Sequence, residues 1–164
     1  MHSLFVDLDG VLADFETGVR DATGLLPHEQ KPAHMWRLLA RTPGFYEHLA
    51  WMPDGRELWA AVTAAQPKIL TGLPLGWWAE PQKRAWCARE LGPDVPVFAC
   101  MSRAKARVAR EHAPEPAIPV LIDDRESLRD AWEAMGGIFI HHTGASTSIA
   151  ALGELAPSLL LEDS

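Results

Sequence analysis

The sequence is short of cysteine, has no long apolar run, carries no basic stripe and contains no internal repeat, and each absence removes a class of protein. Only two cysteines occur in 164 residues, Cys87 and Cys100, in unrelated contexts, so neither a disulfide framework nor a cysteine metal site is implied. Both read as small buried residues. No stretch approaches the roughly 18–20 apolar residues that a membrane-spanning helix requires. The opening Met1-His2-Ser3-Leu4-Phe5-Val6-Asp7 lacks a basic leader segment and meets an acidic residue almost at once, unlike a secretory signal. The expectation is a soluble cytoplasmic protein with no membrane partner.

Positive charge is also scarce. The formal net charge is -7, from 22 acidic and 15 basic residues. Polymers of nucleic acid are bound through basic stripes, and the one Lys/Arg-rich stretch, Arg103 to Arg110, alternates with Ala and Val as the solvated face of a helix does. A small anion remains an acceptable ligand where a metal and a few local donors supply the positive field.

What is present is apolar residue in quantity, 48% of the chain, enough for the core of one domain spanning residues 1–164. Short apolar runs that do not alternate read as buried parallel strands: Leu4-Phe5-Val6, Lys68-Ile69-Leu70, Val95-Pro96-Val97-Phe98, Val120-Leu121-Ile122 and Ile138-Phe139-Ile140. Pro96 suits an edge strand. Helical patterns near 55–65, 80–91, 103–112, 125–135 and 146–155 separate most of them. Alternation of this kind predicts a Rossmann-like α/β fold, about five parallel strands with helices on both faces. Residues 14–52 break it with two helical patterns, near 14–23 and 32–41, and no strand. Inserted after the first strand, they form a small helical cap over the sheet's C-terminal edge, where such folds bind ligands. The tail after Leu161 is expected to fray.

The segment Asp7-Leu8-Asp9-Gly10-Val11 allows two conformations. Asp9-Gly10 is a hairpin-turn signal where apolar runs flank it. Alternatively the strand ends at Asp7, and two carboxylates, two residues apart in an extended chain, project the same way as nucleophile and proton donor. The hairpin needs a second strand after Gly10, yet Ala13 to Thr23 has a helical pattern. Two further strand ends carry polar groups. Lys68-Ile69-Leu70 runs into Thr71-Gly72, a hydroxyl and a close-approach residue fitted to phosphate oxygens or to an ordinary loop. Val120-Leu121-Ile122 runs into Asp123-Asp124-Arg125, which suits either a helix N-cap or a carboxylate ligand of Mg²⁺. No glycine-rich loop ending in Lys-Ser or Lys-Thr is present, which excludes a P-loop nucleotidase. The order Asp-x-Asp, Thr, Lys, Asp-Asp also differs from a receiver domain, whose acidic pair comes first and whose Lys comes last.

In that order the sequence resembles the haloacid dehalogenase superfamily of phosphohydrolases. Asp7 to Phe15, with Lys83-Arg84-Ala85-Trp86, Ser102-Arg103-Ala104-Lys105 and Leu121 to Arg125, is similar to its 5'(3')-deoxyribonucleotidase branch. The resemblance implies that Asp7 is the nucleophile and Asp9 the general acid and base. It implies Mg²⁺ held by Asp7, the backbone carbonyl of Asp9 and Asp124, with Asp123 acting indirectly. Thr71 and Gly72 would meet phosphate oxygens. Lys105 is the best match for the phosphate-site lysine, with Lys83 as its competitor and Arg103 as a supporting or a solvated residue. Phe15 and Trp36 fall where the branch contacts the nucleoside, although packing of cap against core would also use them.

Two features differ from that branch. A Ser usually follows the motif Thr, where this chain has Gly72, and the cap is shorter, with no counterpart near 38–41 for a further base-contacting aromatic. Trp77-Trp78 suit either the site entrance or an exposed pair, and His141-His142 suit surface or structural roles better than metal binding. The expected substrate is a small phosphorylated metabolite, a (deoxy)ribonucleoside monophosphate first and a sugar phosphate second. A non-catalytic binding protein on the same scaffold is the remaining alternative, and a homodimer is compatible with all three.

Overall fold

The computed structural model describes residues 1–160, so the expected fraying of the tail lies outside the described residues. Five strands form one sheet: β1 (His2–Val6), β2 (Lys68–Gly72), β3 (Val97–Cys100), β4 (Ile118–Asp123) and β5 (Ile138–His141). Every pairing is parallel and the order is β3-β2-β1-β4-β5. All five predicted strands are present, and Pro96 lies just before β3, one of the two edge strands. Its carbonyl still accepts from Ile69 N at 2.8 Å.

The non-alternating sequence of the strands has its cause in the two layers of helices. One face, carrying Leu4, Val6, Ile69, Val120 and Ile122, packs with residues of α3 (Gly55–Val62), α4 (Ala79–Glu90) and α7 (Ala145–Leu155). The other, carrying Phe5, Leu70, Leu121 and Phe139, packs with α5 (Lys105–His112) and α6 (Arg129–Ala134). Both faces are therefore dry, and the middle of each strand is an apolar run that does not alternate. No helix among the described residues is long and apolar enough to cross a membrane.

Between β1 and α3 the chain makes α1 (Phe15–Thr23), a short 3₁₀ turn at Pro27–Glu29 and α2 (Pro32–Arg41). Asp14 caps α1 by accepting from Thr17 N at 3.1 Å, and Pro32 opens α2, where its missing N–H costs nothing. The ends of this insertion are tied to each other: Asp14 N donates to Ala50 O at 2.8 Å and Met52 N to Leu12 O at 2.7 Å. The insertion is clamped at its base, where Ala13 and Trp51 form an isolated antiparallel bridge.

The strand order sets where a ligand binds. From central β1 the chain moves outward through β2 and β3, then crosses back to place β4 on the other side of β1. Loops leaving β1 and β4 diverge in opposite directions, and a crevice opens between their C-terminal ends.

Candidate active site

β1 ends at Val6, and the chain turns sharply at Gly10 (φ 79°). The carbonyl of Leu8 accepts from the amides of Val11, Leu12 and Ala13, folding the loop back on itself. No strand follows that could pair with β1 as a hairpin, and β1 is flanked on both sides by parallel neighbours. Asp7 and Asp9 thus sit at a strand end, the second of the two conformations the sequence allows.

Burial dominates the electrostatics there. Asp7 is 4% exposed and Asp123 is fully buried, and between them lies the equally buried Lys105. Lys105 Nζ donates to Asp7 Oδ1 at 2.8 Å and to Asp123 Oδ2 at 2.7 Å. Burial works against its charge, yet the two carboxylates outweigh it and hold the ammonium above its usual pKa. Its backbone N–H donates to Ser102 O, so the 3₁₀ turn Ser102–Ala104 fixes where the side chain starts.

Lys83, on α4, is a second buried ammonium with different partners. It donates to Asp9 Oδ2 at 2.6 Å, to Thr71 Oγ1 at 3.0 Å and to Gly72 O at 2.6 Å. Sequence order made the two lysines competitors for one position. In the structure they occupy two, Lys105 against Asp7 and Asp123, Lys83 against Asp9 and the end of β2. Asp9 is raised above its ordinary pKa, by burial first and with Lys83 opposing, while its Oδ1 is buried without a hydrogen-bond partner.

The donor set fits a hard divalent cation. Asp7, Asp123 and Asp124 each offer a carboxylate oxygen, and the three oxygens lie within 4.8 Å of one another. Four carboxylates, with Asp9, stand near two lysines and the Arg125 guanidinium. Burial, then Asp7, pushes Asp123 up to about 6; Asp124 is exposed at the cavity mouth, and partial desolvation of its carboxylate, then Asp7 and Asp123, raises it to about 7. Mg²⁺ prefers such oxygens. Both oxygens of Asp123 are already engaged, Oδ2 by Lys105 and Oδ1 by Arg125 N at 2.9 Å. The Asp124 carboxylate takes no hydrogen bond from another residue among those described, and it faces the cavity.

That cavity is about 560 Å³ and runs from the carboxylates at its floor to the cap. Phe15 and Trp36 line it, with ring centroids 5.8 Å apart. Tyr46 also lines it, a residue that sequence order did not single out. Its ring is stacked on Phe15 at 6.1 Å and on Trp78 at 5.4 Å, and Lys83 Nζ lies 4.4 Å from its centre. Its only sequence signal is that it is the chain's one tyrosine, and it lies in the insertion.

The remaining residues sort plainly. Gly72 lines the cavity, whereas the Thr71 side chain is wholly buried behind the wall, accepting from Lys83. Arg103 is absent from the cavity wall. Trp77 is 93% exposed, unlike its neighbour Trp78. His141 is exposed beside Glu126, while His142 is buried against Ser148 Oγ at 2.8 Å. Cys87 is buried and Cys100 half-buried.

No protein-family model matches the chain, and no curated protein sequence matches it at a significant level. Among solved structures, it is similar to a protein from Burkholderia xenovorans LB400 described provisionally as a haloacid dehalogenase-like hydrolase. The TM-score is 0.52, over 99% of this chain and 100% of that one, with 14% sequence identity. At that identity the likeness is one of fold.

Proposed function

We propose that this chain is a Mg²⁺-dependent phosphomonoesterase of the haloacid dehalogenase type that works through an aspartyl-phosphate. The observation that carries it is the meeting, at the β1–β4 crevice, of Asp7, Asp9 and Asp124 with the Lys105 ammonium. A carboxylate held at 2.8 Å by a buried lysine is fixed in orientation, as a nucleophile must be.

In this reading an oxygen of Asp7 attacks phosphorus while the bond from phosphorus to the ester oxygen breaks. The departing oxygen takes a proton from Asp9, whose burial keeps that proton available at higher pH than an ordinary carboxyl would. Asp9, now ionised, accepts a proton from water as the water oxygen attacks the phosphorus of the aspartyl-phosphate. Inorganic phosphate leaves and Asp7 is regenerated. Asp7, the Asp9 carbonyl and Asp124 would hold Mg²⁺, which when bound supplies positive charge to the phosphoryl oxygens and screens them from Asp7. Lys105 holds Asp7 in line and adds its own charge.

The cavity above that floor supports a substrate class. Phe15, Trp36 and Tyr46 give it an aromatic wall beneath the cap, and a flat, apolar leaving group such as a nucleoside is what such a wall accommodates. The proposed substrate is accordingly a (deoxy)ribonucleoside monophosphate.

Phosphate release from a panel of nucleoside monophosphates and sugar phosphates, with Mg²⁺ and with chelator, tests both levels. Turnover should require Mg²⁺ and vanish in Asp7→Asn. Activity that survives either treatment overturns the mechanism. Preference for a sugar phosphate over dUMP or dTMP overturns the substrate assignment alone.

A further inference from the structure

Thr71, at the end of β2, has its hydroxyl buried and engaged by Lys83, and the next residue, Gly72, has no side chain. The end of β2 therefore presents no hydroxyl to the cavity. A Cβ built on Gly72 would lie 2.4 Å from Ser102 Oγ, so the space a side chain at that position would fill is already taken by a hydroxyl from the neighbouring strand end. Ser102 follows β3, which pairs with β2 through Gly72 and Cys100, and it is the one aliphatic hydroxyl among the described residues lining the cavity.

Its orientation is fixed from two sides. Arg125 Nη1 donates to Ser102 Oγ at 2.9 Å, so the oxygen acts as acceptor and its own hydrogen is left to point elsewhere. The Ser102 carbonyl accepts the backbone N–H of Lys105, tying the hydroxyl to the residue that holds Asp7. Arg125 in turn is anchored by its own amide to Asp123 Oδ1 at 2.9 Å. A free hydroxyl hydrogen, beside a glycine backbone and one 3₁₀ turn from a buried ammonium, is the donor set an anionic oxygen needs.

We infer that Ser102 is a phosphate-binding residue of this site, supplying across the sheet edge the hydroxyl that Gly72 lacks. The inference deepens the phosphatase reading and rests on it for the identity of the group bound. Gly72 is then required for space: a side chain there expels the Ser102 hydroxyl.

Titration of inorganic phosphate by calorimetry, with Mg²⁺ present, tests this without turnover. Ser102→Ala should weaken phosphate binding roughly 10-fold or more, the usual worth of a hydrogen bond to a charged group, with little change in melting temperature. In the double variant Ser102→Ala with Gly72→Ser, the hydroxyl returns from the other strand into the space that loss of the Ser102 oxygen vacates, and affinity should recover. Phosphate affinity unchanged in Ser102→Ala, or wild-type protein that binds no phosphate, overturns the inference. If wild-type protein binds phosphate through Ser102 but hydrolyses no ester, the phosphatase reading fails and this one stands. If it hydrolyses esters and Ser102→Ala does so with unchanged KM and kcat, the outcome is the reverse.

Discussion

Lys83 Nζ lies 2.6 Å from Asp9 Oδ2, joining a helix that follows β2 to the loop that follows β1 across 74 residues of sequence. Lys83 is 1% exposed, and removing it strands a carboxylate and the Gly72 carbonyl. Lys83→Met should cost about 3–5 kcal/mol in urea unfolding. Lys83 favours the ionised form of Asp9, so without it the carboxyl keeps its proton to higher pH. The kcat–pH profile should shift upward, and an unshifted profile would separate Lys83 from the chemistry.

Asp124 and Asp123 give the metal-free protein an unusual dependence on pH. Burial and neighbouring carboxylates push them up to about 7 and about 6, from an ordinary value of 3.8. Over that window the folded protein holds protons that the unfolded chain releases, so stability falls as pH rises through it. Lys105 pulls Asp123 the opposite way, and burial with Asp7 outweighs it. Mg²⁺ must displace those protons, and its stabilising effect should grow over the same window. Thermal melts at about pH 5 and about pH 8, with and without Mg²⁺, check this; a metal effect equal at both contradicts it.

Much of this was legible beforehand, and the gaps have physical causes. The five strands were visible because both sheet faces are dry, which puts a short unbroken apolar run within each strand, flanked by helical periods. The Asp9-Gly10 ambiguity closed on the same grounds, since a helical pattern follows where a hairpin needs a strand. Lys83 against Asp9 was not legible, because nothing local relates residues 74 apart; only the packing of α4 on the sheet brings them together. Tyr46 was hidden for a similar reason, lying beyond α2 in irregular chain with no period to read. Ser102 was noticed only as part of a motif leading to Lys105, since its meeting with Gly72 depends on the register of β2 and β3.

Gly10 adopts a φ of 79°, and a Cβ there would lie 2.3 Å from Asp124 Oδ2. Gly10→Ala should strain the turn by about 1–3 kcal/mol and push Asp124 away from Asp7. Magnesium affinity should drop roughly 10-fold or more, as when a ligand's supporting contacts are changed. Calorimetric titration of Mg²⁺ measures it, and an affinity equal to wild type would remove Asp124 from the ligand set.

Trp36 tests the aromatic wall. If bases stack there, Trp36→Ala should raise KM for a nucleoside monophosphate by about 5- to 150-fold, corresponding to about 1–3 kcal/mol. The KM for ribose 5-phosphate should stay within about twofold of wild type on the same argument. Equal loss for both substrates would mean that Trp36 only holds the cap in place.

The four carboxylates and two ammonium groups at the cavity floor have a consequence for the order of events. A phosphate dianion entering the bare site meets the Asp7 and Asp123 carboxylates at close range, whereas a cation entering it is drawn to them. Metal and phosphate therefore form a linked pair, in which each raises the other's affinity by the same factor. The concentration of free Mg²⁺ then acts as a gate on substrate capture, ahead of any chemistry at Asp7.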